Sequence, residues 1–335
     1  MNGSTQPLLV ALHESQPLAH EISARATIPI APIEERPFEE GEFKLRPLAS
    51  VRDRQLFIIQ SLAGSDDAPV ADRLVRLLFL LFGLHDAGAA RMTAVIPYLT
   101  FARKDRRTQP RDPVNSRYIA QLLEATRVDR IITLDVHNPA ALDNSFRIPV
   151  DHLSAIPLFV DHFATYRSDS PLAVASPDVG GIKRAQIFRE LLAQRLGRAI
   201  ELAFIEKRRA DDVVTSGRVV GSVAGKEVIV LDDLCASGGT LVRAAMALRA
   251  EGAKAVHAVF THAPLARGLA ALAADKAIDH VVLTDSVGAE SFPATGKFRV
   301  LPVAPLFAQA ISRITAGNAL APLLRRWPVQ DDATD

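Results

Sequence analysis

The sequence predicts an α/β protein with two halves, each built around a mainly parallel β-sheet that is flanked by helices. Short apolar runs of strand length alternate with helical patterns of roughly 10–15 residues, which is typical of parallel sheets covered on both faces. The same alternation occurs twice along the 335 residues. A chain of this length exceeds one ordinary domain and fits two domains of about 150 residues each.

The first half contains three predicted strands with helices between them. The strands are predicted at 56–62, 92–99 and 130–137, and the helices at 69–82, ending at Gly83, and at 115–126.

The second half repeats this order. Strands are predicted at 171–178, 226–233, 255–262, 280–286 and 298–303, and helices at 182–196 and 240–250. The proline-containing stretch 147–159 between the halves is the best boundary. We therefore expect domains at 1–152 and 153–305, followed at 306–335 by a C-terminal helix and a tail that is loose after Pro328.

Composition excludes several classes of protein. The 39 basic and 38 acidic residues nearly cancel, so the net charge gives no argument for binding nucleic acid or a membrane surface. The longest apolar run, 77–82, is far shorter than the roughly 18 residues that a membrane span requires. The first residues lack the features of a signal peptide, and a single cysteine fits a reducing compartment. We expect a cytoplasmic protein.

Polar residues that follow the predicted strands are the first candidates for a site, because open parallel sheets bind ligands beyond the carboxyl ends of their strands. The stretch "DDLCASGGT" (232–240) is the most informative. Gly238 and Gly239 permit a tight turn with inward N–H groups, and the helix that follows adds its positive end, which together form a phosphate cradle. Asp232 and Asp233 could accept hydrogen bonds from sugar hydroxyls. A plain strand–turn–helix connection is the alternative.

The stretch "VIVLDDLCASGGTL" resembles the phosphoribosyl-diphosphate (PRPP) binding motif of type I phosphoribosyltransferases and of ribose-phosphate diphosphokinases. Five other stretches favour the second family, in its order and at its spacing: "RPFEEGEFKLRPLASVRDRQLFIIQS", "AVIPYLTFARKDRRT", "RIITLDVHNPAALDNSFRIPVDHLSAIPLF", "SPDVGGIKRA" and "IEKRRADDVV". The likeness runs from Leu8 to Ile314. It implies two type I phosphoribosyltransferase-like domains and an enzyme that transfers the diphosphoryl group of ATP to the 1-hydroxyl of ribose 5-phosphate, giving PRPP and AMP.

The resemblance implies a ribose 5-phosphate site in the second domain. Its residues would be Asp232, Asp233, Ala236, Ser237, Gly238, Gly239 and Thr240. Most members carry an acid in place of Ala236 and a threonine in place of Ser237. Because the cradle uses backbone N–H groups, we expect weaker binding of ribose 5-phosphate rather than its loss. Cys235 is interpreted as a small residue in the turn, and its reactivity is left open.

Lys207 and Arg209 are the predicted catalytic cations. They stand two apart in a segment expected to be an extended lid, so their side chains would point to one face while Arg208 points away. We expect them to clamp the transferred group, where negative charge concentrates. A solvated charge run before a hairpin is the alternative.

The resemblance also implies ATP-binding residues. Arg103 and Lys104 match the family's ATP-binding pair. The five basic residues of 103–111 could instead form a nucleic-acid patch, but they lack interleaved aromatics. Thr108 replaces an acid of many members. "FEEGE" (38–42) corresponds to a loop that reaches the adenine of a neighbouring subunit, so Phe38 would stack on the base while Glu40, where the family usually has aspartate, and Glu42 accept hydrogen bonds. A surface turn explains these residues equally well.

His137, with catalytic, ATP-binding and metal roles, matches the family's histidine near the metal–ATP site. Asp178 matches a magnesium-linked aspartate, and Asp135 is a further candidate ligand. Hard oxygen ligands and phosphates suit Mg²⁺, the expected cofactor.

Three alternative functions fit parts of the sequence. A phosphoribosyltransferase would not explain two α/β halves, a non-catalytic regulatory relative is favoured only by Ala236, and a nucleic-acid module has a basic stretch only at 103–111. A Walker A motif is absent from the sequence. If Phe38 serves a neighbour's site, the protein forms a homo-oligomer, a dimer or a multiple of dimers.

Overall fold

A computed structural model describes residues 6–65, 69–166, 170–206, 209–210, 213–214, 217–288, 292–293 and 296–324. The chain divides into two compact units. The first contains the described residues up to Leu153 together with Ser286–Gly288 and Pro302–Leu324. The second contains the described residues of Ser154–Asp285 and Ala289–Leu301. The division at Leu153 lies inside the 147–159 stretch. The tail predicted to be loose lies outside the described residues.

The helices and strands alternate along most of the chain. In the first part of the chain they are β1 (Leu8–Ala11), α1 (Gln16–Ala26), β2 (Ile33–Pro37), β3 (Phe43–Pro47), β4 (Gln55–Ile59), α2 (Val70–Asp86), β5 (Arg91–Ile96), α3 (Asn115–Ala125), β6 (Arg130–Leu134), α4 (Pro139–Ser145) and β7 (Val150–Leu153). In the remainder they are α5 (Ile156–Thr165), β8 (Leu172–Ser176), α6 (Ile182–Leu196), β9 (Glu201–Glu206), β10 (Arg209–Ala210), β11 (Val213–Val214), β12 (Arg218–Val220), β13 (Glu227–Leu234), α7 (Gly239–Ala250), β14 (Ala255–His262), α8 (Ala266–Ala274), β15 (His280–Thr284), β16 (Phe298–Leu301), α9 (Ala304–Thr315) and α10 (Ala321–Leu324).

The first unit is built on a parallel five-stranded sheet in the order β1-β4-β5-β6-β7. Residues 56–59 of β4 are all buried, as expected for a strand covered on both faces. The strands β2 and β3 form a separate antiparallel hairpin that packs on α2. The C-terminal helix α9 packs on α1 and belongs to this unit.

The second unit is built on a seven-stranded sheet in the order β12-β9-β8-β13-β14-β15-β16. All neighbours run parallel except β12, which is antiparallel to β9 at the edge. The helices α6 and α7 pack on the central strands. The predicted fold class, an α/β protein with mainly parallel sheets and flanking helices, is confirmed.

Several predicted boundaries were wrong. The predicted end of α2 at Gly83 is incorrect, because the helix continues to Asp86 and buries Leu84 completely. A glycine inside a helix costs only about 1 kcal/mol, which such burial offsets. The strand predicted at 130–137 ends at Leu134, so the segment with Asp135 and His137 follows β6. The strand predicted at 226–233 is shifted by one residue, because β13 spans Glu227–Leu234 and contains Asp232 and Asp233.

No helix in the described parts of the chain is long and apolar enough to cross a membrane.

Candidate functional site

The turn between β13 and α7 requires glycine at its last position. Gly238 has a φ of +76°, in the left-handed region that disfavours other residues. A Cβ atom at Gly238 would also lie 2.9 Å from the carbonyl oxygen of Gly268 and 3.0 Å from the Cβ of Ala271. Helix α7 begins at Gly239, one residue before the predicted start. The backbone of this turn is therefore held in one conformation.

The same turn packs closely against the start of α8. A Cβ atom at Gly268 would lie 2.6 Å from the carbonyl oxygen of Ala236, so the two backbones touch with no side chain between them. Ala236 is half-buried and Ser237 is exposed. This support from α8 fixes the turn and leaves Ser237 open to solvent.

Backbone N–H groups at the start of α7 are the hydrogen-bond donors that this turn offers to an anion. The first bond of this helix runs from the N–H of Val242 to the carbonyl oxygen of Gly238, at 3.0 Å. The N–H groups of Gly239, Thr240 and Leu241 therefore have no intrahelical acceptor. The capping residue, Gly238, has no side chain to accept hydrogen bonds from them. The N–H of Gly238 differs, because it is directed at the Cys235 sulfur. The helix start, rather than Gly238, supplies donors to an anion.

Asp232 and Asp233 lie together near the end of β13, beside a cation that the sequence did not single out. Arg184, in the first turn of α6, places Nη1 at 3.2 Å from Oδ1 of Asp233 and 3.8 Å from Oδ1 of Asp232. Burial and the neighbouring charge of Asp233 raise the pKa of Asp232 to about 8, while Arg184 acts in the opposite direction. The contact arises only when α6 packs on β13, so local sequence patterns do not reveal it.

Cys235 is a structural thiol. Its side chain is buried, and its N–H donates to the carbonyl oxygen of His262 at 2.8 Å. Burial raises the pKa of the Cys235 thiol to about 12. Because the thiolate is the reactive species, Cys235 is inert at neutral pH.

Arg243 is a second residue that the sequence reading missed. It lies one helical turn after Gly239 on an exposed part of α7, and its Nη1 lies 3.1 Å from the position of a Cβ at Gly239. The spacing of four residues was the available signal, since residues i and i+4 share a helix face. Its guanidinium adds positive charge beside the turn.

Asp178 stabilises the connection between β8 and α6. Its Oδ1 accepts a hydrogen bond from the N–H of Gly181 at 3.2 Å, and thereby caps the short 3₁₀ turn that precedes α6. Its side chain is half-buried.

In the first unit, the loop that follows β5 is held by Asp112. The carboxylate of Asp112 accepts hydrogen bonds from the ammonium of Lys104, the hydroxyl and N–H of Thr108, and the N–H of Gln109. These donors hold the pKa of Asp112 well below its usual range, with Lys104 the largest cause. Arg103 is exposed at the start of the loop. Lys104 therefore orders the loop.

The loop after β6 is tied to the same region. Asn138 donates from Nδ2 to Asp105 at 2.6 Å, and its Oδ1 caps α4 by accepting from Ala141. Asp135 is buried and has a φ of +36°, whereas His137 is exposed. The structure thus brings the loop of Arg103 and Lys104 beside the segment that carries Asp135 and His137.

The 38–42 turn joins β2 to β3. The N–H of Phe38 donates to the carbonyl oxygen of Glu42 at 2.8 Å, and Gly41 has a φ of +89°. Phe38, Glu40 and Glu42 are all exposed. The guanidinium of Arg36 lies over the Phe38 ring, 4.9 Å from its centroid, and forms a cation–π contact with it. The turn presents one aromatic ring and several acids to solvent.

Both halves of the chain are similar to domains of known proteins. Residues 8–126 match the N-terminal domain of ribose phosphate pyrophosphokinase, and residues 154–294 match the phosphoribosyl transferase domain. A ribose-phosphate pyrophosphokinase of Ralstonia nicotianae is 36% identical over 96% of this chain and 99% of its own length. Another from Caldanaerobacter subterraneus subsp. tengcongensis is 36% identical, over 95% of this chain and 98% of its own.

The chain belongs to the ribose-phosphate pyrophosphokinase family.

A solved structure agrees with this assignment. The phosphoribosylpyrophosphate synthetase of Mycobacterium smegmatis superimposes with a TM-score of 0.82 at 31% identity, over 94% of this chain and all of that one. The family resemblance and the two phosphoribosyltransferase-like domains expected from the sequence are confirmed.

Two of the family's expected cations remain predictions for this chain. Lys207 lies outside the described residues. The backbone of Arg209 begins β10, which pairs antiparallel with β11, and β12 pairs with β9. Arg209 is therefore in a short antiparallel pair, and β12 lies at the edge of the second sheet. Within the described ranges, no group of three or more His, Cys, Asp or Glu side chains is placed to hold a metal ion.

Proposed function

We propose that this ribose-phosphate pyrophosphokinase relative transfers the diphosphoryl group of ATP to the 1-hydroxyl of ribose 5-phosphate, giving PRPP and AMP. The turn from β13 into α7 carries the proposal. It combines a rigid backbone, helix-start N–H groups and two adjacent aspartates. An anion cradle beside hydroxyl acceptors matches a sugar phosphate, which has a phosphate at one end and vicinal hydroxyls at the other.

Ribose 5-phosphate binds to the second unit in this proposal. The N–H groups of Gly239 and Thr240 donate to the 5-phosphate, with the hydroxyl of Ser237 and the guanidinium of Arg243 close to the same turn. Asp232 and Asp233 accept hydrogen bonds from the ribose hydroxyls. Ala236 contributes only its backbone, which explains how the turn tolerates the loss of the family's acid.

ATP binds to the first unit. Arg103 supplies positive charge for the phosphates, while Lys104 serves them from a loop that it also orders through Asp112. Phe38 stacks on the adenine of ATP bound to a neighbouring subunit, and Glu40 and Glu42 accept hydrogen bonds from that base. Lys207 and Arg209 stabilise the migrating diphosphoryl group, because charge develops there in the transition state.

The residues present fit Mg²⁺ as the cofactor. Asp135, with His137 two residues later, would offer a hard oxygen ligand within the first unit, and Asp178 would offer one separately within the second unit. Mg²⁺ is often held by one or two carboxylates with phosphate oxygens and water as its other ligands. When bound, the ion neutralises phosphate charge during transfer. The N–H of Gly181 orients the Asp178 carboxylate.

We also infer that the protein acts in the cytoplasm as a homo-oligomer, a dimer or a multiple of dimers. Its single cysteine is a buried thiol, which fits a reducing compartment. Helix α2 exposes Val75, Phe79 and Phe82 at helical spacing, and Phe79 is 58% exposed. Such an apolar row is typical of a contact between subunits. Light scattering on the purified protein tests this point, and an active monomer would contradict it.

The deciding experiment incubates the protein with ATP, Mg²⁺ and ribose 5-phosphate and measures AMP and PRPP. We expect both products in equal amounts and neither when ribose 5-phosphate is omitted. AMP without PRPP would indicate hydrolysis, and no AMP would favour the regulatory alternative. Consumption of PRPP with a free nucleobase would instead identify a phosphoribosyltransferase. As a site control, Asp232→Asn should raise the KM for ribose 5-phosphate and leave that for ATP unchanged.

A further inference from the structure

The packing of α6 against β13 brings Arg184 within ion-pair distance of both acids of the proposed sugar-phosphate site, Asp232 and Asp233. Arg184 Nη1 lies 3.2 Å from Asp233 and 3.8 Å from Asp232. The side chain of Arg184 is 19% exposed, that of Asp232 20% and that of Asp233 7%, so all three charges are largely shielded from water. Ion pairs in such surroundings are much stronger than pairs on the surface.

Two adjacent carboxylates in this position tend to retain a proton. Burial disfavours the charged form, and each negative charge disfavours the other. The strand neighbour paired with Asp232 is the fully buried Phe260, which offers no polar compensation. The raised pKa of Asp232 reflects both causes, and the charge of Arg184 opposes them.

We propose that Arg184 is a positioning residue of the sugar-phosphate site, which orients Asp232 and Asp233 as acceptors for the ribose hydroxyls and favours their ionised forms. This inference rests on the proposed function. An ionised carboxylate only accepts hydrogen bonds, whereas a protonated one donates through one of its oxygens. Arg184 thus favours the form of the acids that binds a diol, and it needs no contact with the substrate.

The titratable groups around this pair come from three elements, β13, α6 and β14. Asp232 and Asp233 lie on β13, with the Cys235 thiol just beyond the strand, and Arg184 lies on α6. The buried His262 is paired with Leu234 on the neighbouring strand β14. Burial raises the pKa of the Cys235 thiol to about 12, so this thiol stays protonated near pH 8, where Asp232 loses its proton.

Arg184→Met removes the charge and keeps much of the side-chain volume. We expect the KM for ribose 5-phosphate to rise about tenfold or more at neutral pH, since a hydrogen bond to a charged group is being weakened. The increase should shrink as the pH is raised and the acids ionise, and the KM for ATP should stay unchanged. Arg184→Lys restores the charge without the planar fork, so it should recover part of the affinity.

Arg189→Met is the matched control. Arg189 lies on the same helix and pairs with Glu190 at 3.1 Å, away from the two aspartates. Its replacement should change neither KM nor the pH profile. If Arg184→Met fails to fold, the Arg184→Lys variant decides the question through its pH profile alone.

The test combines turnover with a direct measurement on the acids. Carboxyl resonances of ¹³C-labelled aspartate, followed from pH 5 to 10 in the wild type and the variants, should show the Asp232 and Asp233 midpoints moving upward by about one unit or more in Arg184→Met. Unshifted midpoints, or a KM increase of equal size at every pH, would overturn the inference. Calorimetry with ribose 5-phosphate separates the two proposals. If the wild type does not bind the sugar phosphate, the proposed function is refuted. If it binds and the aspartate midpoints are unshifted in Arg184→Met, only the role of Arg184 is refuted.

Discussion

The ammonium group of Lys104 donates to the carboxylate of Asp112, eight residues further along the loop that follows β5. Lys104 is also a predicted ATP-binding residue, so one side chain both orders the loop and supplies its charge. The same carboxylate accepts from the hydroxyl of Thr108 at 2.7 Å. This bond explains the threonine at a position where many family members carry an acid, since a second carboxylate there would repel Asp112.

Asp112→Asn is expected to raise the KM for ATP a few-fold. The amide keeps one acceptor oxygen but loses the charge that holds Lys104, so the loop becomes less ordered before ATP binds. The KM for ribose 5-phosphate should not change. Steady-state kinetics with each substrate varied in turn check this, and Asp86→Asn at the exposed end of α2 controls for the loss of one charge. An unaltered KM for ATP would show that Lys104 does not need Asp112.

The sequence was sufficient to predict the α/β class and to single out candidate stretches at the strand ends, because both depend on local patterns. The bounds of α6 agree with the predicted 182–196, and β14 agrees with 255–262. Strand ends were harder, since a strand ends where its neighbour stops pairing. Thus β6 ends at Leu134, its last residue paired with β7, and not at the predicted residue 137.

Contacts between distant elements were outside the reach of sequence reasoning. The pairing of Arg184 with the two aspartates depends on the packing of α6 against β13, and the bond from Asn138 to Asp105 joins two separate loops. Gly268 carries no local signal either, and only the approach of Ala236 shows why a side chain does not fit there.

Gly238→Ala is expected to destabilise the protein and weaken the binding of ribose 5-phosphate. The left-handed backbone alone costs about 1–2 kcal/mol for a residue with a side chain. At Gly238 the new methyl group would also collide with the backbone of Gly268 and displace the turn. Urea unfolding and the KM for ribose 5-phosphate measure the two effects.

Gly225→Ala is the matched control for this prediction. Gly225 has a similar φ, +69°, but no atom lies within 4 Å of the position of its Cβ. Gly225→Ala should therefore lose stability through the strained backbone but leave the KM for ribose 5-phosphate unchanged. Equal losses of stability in both variants, with an unchanged KM, would mean that the contact with α8 does not hold the turn.

Lys207→Ala is expected to lower kcat by about 100-fold or more, in line with the loss of one charge-stabilising group in a transition state. ATP binding should stay measurable, because Arg103 and Lys104 supply the charge for the ground state. Arg208→Ala is the control, since successive residues of an extended segment, the conformation expected from the sequence, face opposite sides. Rapid-quench turnover and ATP titration separate the two quantities. Similar effects of the two substitutions on kcat would remove Lys207 from the proposed mechanism.

A buried histidine in the second unit should make stability depend on pH. The ring of His257 stacks on that of His280 with centroids 5.4 Å apart, and the ring of Tyr166 meets its edge at 5.3 Å. Its Nε2 lies 3.5 Å from the carboxylate of Glu227. Burial lowers the pKa of His257, and the nearby His280 lowers it further, while Glu227 acts in the opposite direction.

The unfolded chain takes up a proton at His257 as the pH falls through about 6.5, but the folded protein does so only at lower pH. The free energy of unfolding should therefore be fully retained above about pH 6.5, decrease below it and level off once the folded form is protonated. Urea unfolding between pH 4.5 and 8 measures this, and His257→Gln should flatten the curve in the acidic range. His20→Gln, on the exposed side of α1, should leave the curve unchanged. An equally steep loss in His257→Gln would place the acid sensitivity elsewhere, because no proton could then bind at residue 257.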